Sequence, residues 1–212
     1  MSAAMARQQS ISDAQILEAA VRVIFRRGHD AFTLSEVAAE VGLSRAAVIL
    51  RFKGTQALKI TSTAYIVDRF VQSMQSLPTV RSGDGLLDLV AFIGRMITRP
   101  GTLTAFMRTY HANVKDKELA RLEFRRVEAL RCAIAVRMPP MGIAHESAVT
   151  AFLAHLGGSL IQWEAQTEVN ALTYLVERTK EWLTLAGVAY DRSYSGARLR
   201  TGAALAAQNP AT

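Results

Sequence analysis

Cysteine is nearly absent from this sequence, and so is any segment of the kind that targets or anchors a protein. The 212 residues contain one cysteine, Cys132, which excludes a disulfide framework within the chain and suits a reducing compartment. The N-terminal stretch MSAAMARQQS lacks the apolar core of a signal peptide. The uncharged run at 147–163 is too short and too polar to span a bilayer. We therefore expect a soluble cytoplasmic protein without a membrane partner.

Catalytic and metal-binding patterns are also missing. The histidines (His29, His111, His145 and His155) are scattered and lack the spacing of metal ligands. No Gly-x-Ser-x-Gly sequence occurs, and no glycine-rich phosphate loop follows a strand. Cys132 lies in an apolar helical context, which favours an inert core residue over a nucleophile. We predict no catalytic residue, no metal site and no cofactor, and hence a protein that is not an enzyme.

Apolar residues are plentiful and are spaced as in helices. Half of the sequence is hydrophobic, which is ample for a large core. Apolar positions recur at intervals of three and four, without long alternating runs of β-branched residues, so the pattern predicts an all-α fold. The formal charge of +7 favours an anionic partner, either nucleic acid or a membrane surface, without choosing between them.

Three short helices are predicted near the N-terminus. Each follows a hydroxyl side chain suited to cap its first turn, namely Ser12, Thr33 and Ser44. Gly28 and Gly42 are placed to end the first two helices. The second and third helices flank a tight turn at residues 41–43, which is the helix-turn-helix arrangement, whose second helix enters the major groove of DNA. A fourth helix is predicted to begin near Thr55.

Acidic residues are missing from the segment around the third helix. Between Val41 and Val67 the sequence has no Asp or Glu but four basic residues, which are Arg45, Arg51, Lys53 and Lys59. A helix used only for core packing has no need of that charge, so we predict a surface that binds duplex DNA. The alternative, from the pattern alone, is a three-helix structural domain with a solvated basic face.

The rest of the chain is predicted to form further helices. Proline and glycine mark residues 76–85 as a connection. Helices are predicted at 86–98, 102–114, 116–137, 145–168 and 170–186. Gly157 and Gly158 lie inside one of them, where glycine lowers helix stability, and a close helix crossing or a bend would explain both.

A set of residues between Ile11 and Leu58 carries a family resemblance: Ala20, Phe25, Gly28, Thr33, Val37, Ala38, Gly42, Leu43, Ser44 and Phe52. Together they resemble the TetR-type bacterial transcription regulators. The resemblance implies an all-α homodimer with a three-helix, helix-turn-helix DNA-binding domain at residues 1–54. A larger helical domain at 55–189 would bind a ligand and dimerise, and residues 190–212 would be a tail, partly disordered.

The resemblance also implies which residues meet DNA. Arg45 directly follows the cap of the third helix, where base edges come within reach, and arginine is the commonest reader of guanine. Thr33 and Ser44 would add phosphate contacts to their capping role. Arg51 and Lys53 would either neutralise phosphates or lie solvated on the surface.

Two positions in this region depart from the family pattern. Ile49 and Thr55 stand where family members usually have Tyr and Lys, which can hydrogen-bond phosphate oxygens. Ala46, Ala47 and Ile49 can offer only van der Waals contact, for instance to a thymine methyl group. The departures leave a second hypothesis open, namely a helical small-molecule-binding protein with weakened or lost specific DNA binding.

The effector would bind between the C-terminal helices. Candidate lining residues are Phe92, Met96, Phe106, Tyr110, Phe152, His155, Gln162 and Trp163. Such residues at helical spacing more often form a core. If they line a pocket, the small-molecule effector is largely apolar, with polar contacts from Tyr110, His155 and Gln162.

The combined prediction is a ligand-responsive repressor that binds double-stranded operator DNA as a homodimer. Effector binding would change the spacing of the two recognition helices, so that a palindromic operator no longer fits both. The apolar faces at 145–168 and 170–186 would form a two-fold interface. Activation in place of repression stays open, and a helical enzyme is disfavoured because no catalytic constellation is visible.

Overall fold

Nine helices make up the described part of the protein, a computed structural model that covers residues 11–97, 101–166 and 168–196. They are α1 (Asp13–Arg27), α2 (Leu34–Glu40), α3 (Arg45–Phe52), α4 (Thr55–Ser76), α5 (Gly83–Met96), α6 (Thr102–Asn113), α7 (Lys117–Ala135), α8 (His145–Gln166) and α9 (Ala171–Leu185). Within those residues there is no strand, which confirms the all-α prediction. Residues 1–10 and 197–212, which include most of the expected tail, lie outside the described part.

The predicted caps form at the starts of the first three helices. Ser12 Oγ accepts a hydrogen bond from the backbone N–H of Gln15 at 3.3 Å, and the Gln15 side chain accepts one from Ser12 N–H at 2.8 Å. The hydroxyls of Thr33 and Ser44 accept equivalent backbone bonds at 3.2 Å and 3.1 Å. Each bond satisfies an N–H that a helix start would otherwise leave without a partner, which is why these helices begin where they do.

The first three helices and the start of α4 enclose one apolar core. Its members include Ile16, Ala20, Val23, Ile24, Val37, Val48 and Leu58. The turn between α2 and α3 is closed by a bond from Leu43 N–H to the Ala38 carbonyl at 2.9 Å. Gly42 takes a φ of +67° there, a conformation that glycine adopts without steric penalty. This turn fixes α3 across α2 and leaves the outer side of α3 exposed to solvent.

A second core lies among the later helices. α5 packs along α9, and α4 packs along α7. The fully buried residues of α5 include Leu86, Leu87, Leu89 and Val90. α4 reaches both cores, because Leu58 near its start belongs to the first and Met74 near its end to the second.

The connection expected at 76–85 is shorter than predicted. Ser82 caps α5 by accepting a bond from Gly85 N–H at 3.1 Å, so Gly83 and Gly85 lie in its first turn. A Cβ atom at either glycine would collide with a backbone carbonyl of a neighbouring segment. These glycines therefore permit close packing, and the assumption that they mark a turn is wrong.

The segment after α9 packs onto α5 as far as it is described. The Tyr194 hydroxyl donates to Asp88 at 2.6 Å, and Asp191 N–H donates to Asp84 at 2.8 Å. Tyr194 is buried in the second core. Residues 190–196, assigned to the tail from sequence, are thus part of the helical domain.

Two expectations about buried residues need correction. Cys132 is exposed, because Ala133 and Ile134 supply the inward face of α7 at that turn. Gly157 and Gly158 have open space where a side chain would lie, so none of the described helices crosses α8 closely there. Of the described helices, none combines the length and apolar character that crossing a membrane requires.

Candidate nucleic-acid interface

The outer face of α3 is largely apolar and exposed to solvent. Val48 is fully buried and anchors the helix in the first core. On the opposite side Ala46 is exposed, and Leu50, one turn later, is 85% exposed. Ile49 lies between these two faces and is 37% exposed.

Three of the predicted DNA-binding residues line one cleft beside the start of α3. Thr33 precedes α2, Arg45 opens α3 and Thr55 opens α4, and all three border a cleft of about 390 Å³. Phe32, Leu34 and Ser35 complete its lining. The cleft brings a guanidinium and two hydroxyls together from helices that are separate in the sequence.

The start of α4 adds unsatisfied backbone donors beside this cleft. Gly54 precedes the helix with a φ of +123° and provides no side-chain cap. The first N–H groups of α4 carry the positive end of the helix dipole, which favours an anion such as phosphate. Thr55 offers a hydroxyl at the position where the family resemblance leads one to expect a lysine.

The four basic residues of this region separate into two pairs. Arg51 Nη1 donates to the Ile11 carbonyl at 2.6 Å and lies 3.5 Å from an Asp13 carboxylate oxygen. Lys59 Nζ donates to the His29 carbonyl at 2.7 Å. Arg51 therefore holds the end of α3 to the segment before α1, and Lys59 holds α4 to the segment after α1.

Arg45 and Lys53 form the other pair. Both side chains are exposed, and among the described residues neither makes an ion pair or a side-chain hydrogen bond. They stand near opposite ends of α3, on either side of Leu50. The unpaired positive charge of the predicted surface is thus concentrated in these two residues.

Lys53 also has an unusual backbone. Its φ of 60° places it in the left-handed region, and it is the one non-glycine residue with positive φ in the described chain. Its N–H donates to the Ile49 carbonyl at 2.7 Å and ends α3. Glycine is the usual residue in this position, so lysine is held here at a conformational cost.

The predicted ligand-binding residues fall into separate places. On α6, the rings of Phe106 and Tyr110 have centroids 6.2 Å apart, and the guanidinium of Arg126 lies 4.8 Å from the Phe106 centroid. On α8, Phe152 and His155 contact Trp182 of α9, with centroid distances of 4.9 Å and 6.1 Å. Phe92 and Met96 are half-buried on α5.

Two of the remaining candidates have local partners. The Trp163 indole donates to the Val169 carbonyl at 2.7 Å, which ties the end of α8 to the following loop. Gln162 is exposed and accepts a bond from the Tyr174 hydroxyl at 3.3 Å. His155 differs from both, because its Nε2 is buried without a partner among the described residues. Burial lowers the pKa of His155, so the imidazole is neutral at pH 7.

A buried polar cluster between α6 and α7 has no recognisable signature in the sequence. Asn113 Nδ2 donates to a Glu123 carboxylate oxygen at 2.5 Å, and Arg126 Nη2 donates to the same oxygen at 3.0 Å. Asn113 and Glu123 are buried. Within the described chain Asn113 Oδ1, the second Glu123 oxygen and Arg126 Nε lack hydrogen-bond partners. Asn113 and Glu123 are ten positions apart, so no short motif indicates the cluster.

Several polar contacts connect α6 and α7 to α1 and α4. Arg108 of α6 donates to the Phe25 carbonyl at 2.5 Å, and Gln56 of α4 donates to Asp116, which caps α7, at 2.9 Å. At the start of α6, Glu164 of α8 accepts bonds from the N–H and hydroxyl of Thr104 at 3.2 Å and 2.6 Å. α6 thus contacts both α8 and α1.

The fold and this surface define a helix-turn-helix DNA-binding protein with a helical C-terminal domain. Residues 16–59 match the family model described as bacterial regulatory proteins, tetR family. Residues 16–59 therefore form a DNA-binding domain of the type found in the tetR family of bacterial regulatory proteins. No curated protein sequence matches the chain as a relative.

Solved structures share the fold at low sequence identity. A TetR transcription regulator from Haloarcula marismortui is 16% identical, with a TM-score of 0.66 over 83% of this chain and 97% of that one. The regulator FadR from Bacillus subtilis, in complex with stearoyl-CoA, is 15% identical, with a TM-score of 0.63 over 84% and 100%. A putative regulator from Saccharomonospora viridis, in complex with choline, is 15% identical, with a TM-score of 0.63 over 84% and 97%.

Proposed function

We propose that the protein is a cytoplasmic, homodimeric repressor that leaves a palindromic operator when a small, largely apolar ligand binds. The observation that carries the DNA-binding half of this proposal is the cleft that joins Thr33, Arg45 and Thr55 at the start of α3. A guanidinium, two hydroxyls and the free N–H groups of α4 together favour a phosphate and the base edges next to it.

The proposed contacts divide by chemistry. Arg45 reads a base edge, and Thr33, Ser44, Lys53 and Thr55 contact phosphates. Ala46, Ala47 and Ile49 contribute van der Waals contact only. Arg51 is a weaker candidate than its charge indicates, because the Ile11 carbonyl already occupies its guanidinium.

Residues 1–54 would form the DNA-binding domain and 55–189 the ligand-binding and dimerisation domain. Binding of a ligand against α6 would shift that helix, and the contact of Arg108 with the end of α1 would pass the shift to the DNA-binding helices. A change in the spacing of the two α3 helices of a dimer is sufficient to release an operator with two-fold symmetry.

The described side chains support an amphipathic ligand. Phe106 and Tyr110 offer aromatic surface, and the adjoining Asn113–Glu123–Arg126 cluster has three buried polar atoms without partners in the described chain. A ligand with an apolar body and one polar end would satisfy both. Two proteins of similar fold were solved in complex with stearoyl-CoA and with choline, so the fold accommodates ligands of very different size and polarity.

Dimerisation is proposed to use α8 and α9. Ile161 is 62% exposed on α8, and the open space at Gly157 and Gly158 would let a second helix approach closely. A two-fold axis through this face would bury these apolar groups.

The test is selection of duplexes from a random pool by the full-length protein, followed by titration at several salt concentrations. Enrichment of an inverted repeat, bound with a steep salt dependence, is the expected result. Binding that is equally weak for every sequence would contradict the proposal. It would favour the alternative of a helical small-molecule-binding protein with weakened or lost specific DNA binding, which Ile49 and Thr55 motivate.

A further inference from the structure

Leu50 occupies the middle of the surface that α3 presents outward. It is 85% exposed and lies on the side of the helix opposite the fully buried Val48. Ala46, one turn earlier, is also exposed and too small to shield it. An apolar side chain this exposed makes little contribution to the core of its own chain, and a helix that enters the major groove turns this side toward the base edges.

The charges around Leu50 identify what covers it. Arg45 and Lys53 are exposed near the two ends of α3 and have no ion-pair partner among the described residues. Two unpaired cations at the ends of an apolar strip match a groove with phosphates along both edges and bases between them. A protein partner with an apolar face would not account for the cations.

Base edges offer few apolar groups to a leucine. In the major groove the C5-methyl of thymine is the apolar group, and the other groups are hydrogen-bond donors and acceptors. If Leu50 packed against guanine, it would displace water from the acceptor atoms of the base without providing a hydrogen-bond donor in its place. This loss of hydrogen bonds lowers the affinity. When Leu50 packs against a thymine methyl, both groups are removed from water, and this burial of apolar surface raises the affinity.

We propose that Leu50 is a specificity-determining residue that reads thymine methyl groups near the centre of each half-site. The small side chain of Ala46 does not hold α3 away from the base edges, so Leu50 can contact them. The inference rests on the proposed DNA-binding function and adds to it the chemistry of the bases that α3 selects. Lys53 holds one end of α3 against a phosphate, and Arg45 reads a base edge at the other end. Leu50 adds a preference for thymine at the positions that lie between these two contacts.

Uracil substitution tests this directly, because deoxyuridine lacks only the methyl group of thymidine. With the full-length dimer and a selected duplex, each thymine is replaced in turn. At one or two thymines per half-site, we expect wild-type affinity to fall about fourfold, the effect of one buried methyl-sized group. The L50A variant should bind the thymine and uracil duplexes equally at those positions, and duplexes selected by L50A should lose the thymine preference there.

A matched variant controls for exposed apolar surface elsewhere. Ile143 is 54% exposed and lies outside α3, so I143A should keep the wild-type response to every uracil. Circular dichroism of L50A should match the wild type, because the side chain is almost fully solvated.

The outcomes separate this inference from the proposed function. A selected duplex whose affinity is unchanged by uracil at every position overturns the role of Leu50 and leaves DNA binding intact. An L50A loss that is equal on selected and random DNA assigns Leu50 to the sugar–phosphate backbone and overturns it as well. A selection that enriches no sequence overturns both.

Discussion

Arg108 of α6 reaches across the two domains and donates from Nη2 to the backbone carbonyl of Phe25, 2.5 Å away in the last turn of α1. A cation at a helix C-terminus complements the negative end of the helix dipole. Glu164 of α8 holds the start of the same α6, so polar contacts tie α6 both to α8 and to α1.

Arg108→Ala should loosen the end of α1. Loss of this charge-assisted bond at an exposed site is expected to cost about 1 kcal/mol. Amide hydrogen exchange at residues 25–27 should speed up, while exchange in α5 stays unchanged. Arg121→Ala, at an exposed arginine of α7, is the control and should leave the exchange of α1 as it is. Unchanged exchange in Arg108→Ala would show that the contact does not hold the two domains together.

Lys53→Gly should raise the stability of the protein and weaken its binding to DNA. The substitution relieves a left-handed φ of 60°, so the free energy of unfolding should rise by up to about 1 kcal/mol in denaturant titrations. The loss of one phosphate contact should weaken binding to all duplexes and reduce the salt slope by about 1. Lys53→Arg keeps the charge and should keep the slope. A wild-type slope for Lys53→Gly would remove Lys53 from the interface.

Arg45→Ala and Arg51→Ala form a matched pair. Arg45 is free at the cleft, so its loss should cost about 1–3 kcal/mol of operator binding and relax the preference at one base per half-site. Arg51 is bonded to the Ile11 carbonyl, so its loss should instead lower the melting temperature. Fluorescence anisotropy and thermal melts distinguish the two. Equal effects on DNA binding would mean that the charge of α3 acts without regard to position.

Ile49→Tyr should strengthen DNA binding in general. Val48 faces the core and Ile49 is 37% exposed, so a larger side chain fits without repacking. One added hydrogen bond to a phosphate contributes roughly 0.5–1.5 kcal/mol, which is up to about tenfold in affinity. The gain should be similar on operator and random duplex at one salt concentration, because phosphates carry no sequence information. Ile49→Phe lacks the hydroxyl and is the control, so it should show no gain in affinity. If Ile49→Tyr instead lost affinity for the operator alone, Ile49 would not occupy a phosphate-contact position.

Ile161→Glu should produce monomers. The residue is 62% exposed on α8 beside the open glycines, and a carboxylate in an apolar two-fold interface would be buried without a partner. Light scattering at micromolar concentration should give a dimer mass for wild type and a monomer mass for the variant. Ile143→Glu, at a residue 54% exposed before α8, should stay dimeric. A wild-type protein that is monomeric would refute the interface.

The sequence by itself determined where the first three helices begin. Ser12, Thr33 and Ser44 form their capping bonds with residues three positions ahead, so short spacings were sufficient to place the helix starts. Helical periodicity puts Val48 and Leu50 on opposite sides of α3, one buried and the other 85% exposed. Leu50 is not distinguished by the sequence alone, because an apolar run favours a core.

The tertiary structure decided which of the predicted residues act together. The partner of Arg51 is forty positions away, and its charge alone gave no sign that it was already engaged. Thr33, Arg45 and Thr55 meet in one cleft because the first core sets the angle between three helices. Glu123 and Asn113 are buried together, and Cys132 is exposed, because the rotation of α7 is set by its packing against α4 and α8. Local hydrogen bonds and spacing carry no information about such long-range contacts, which depend on how whole helices pack.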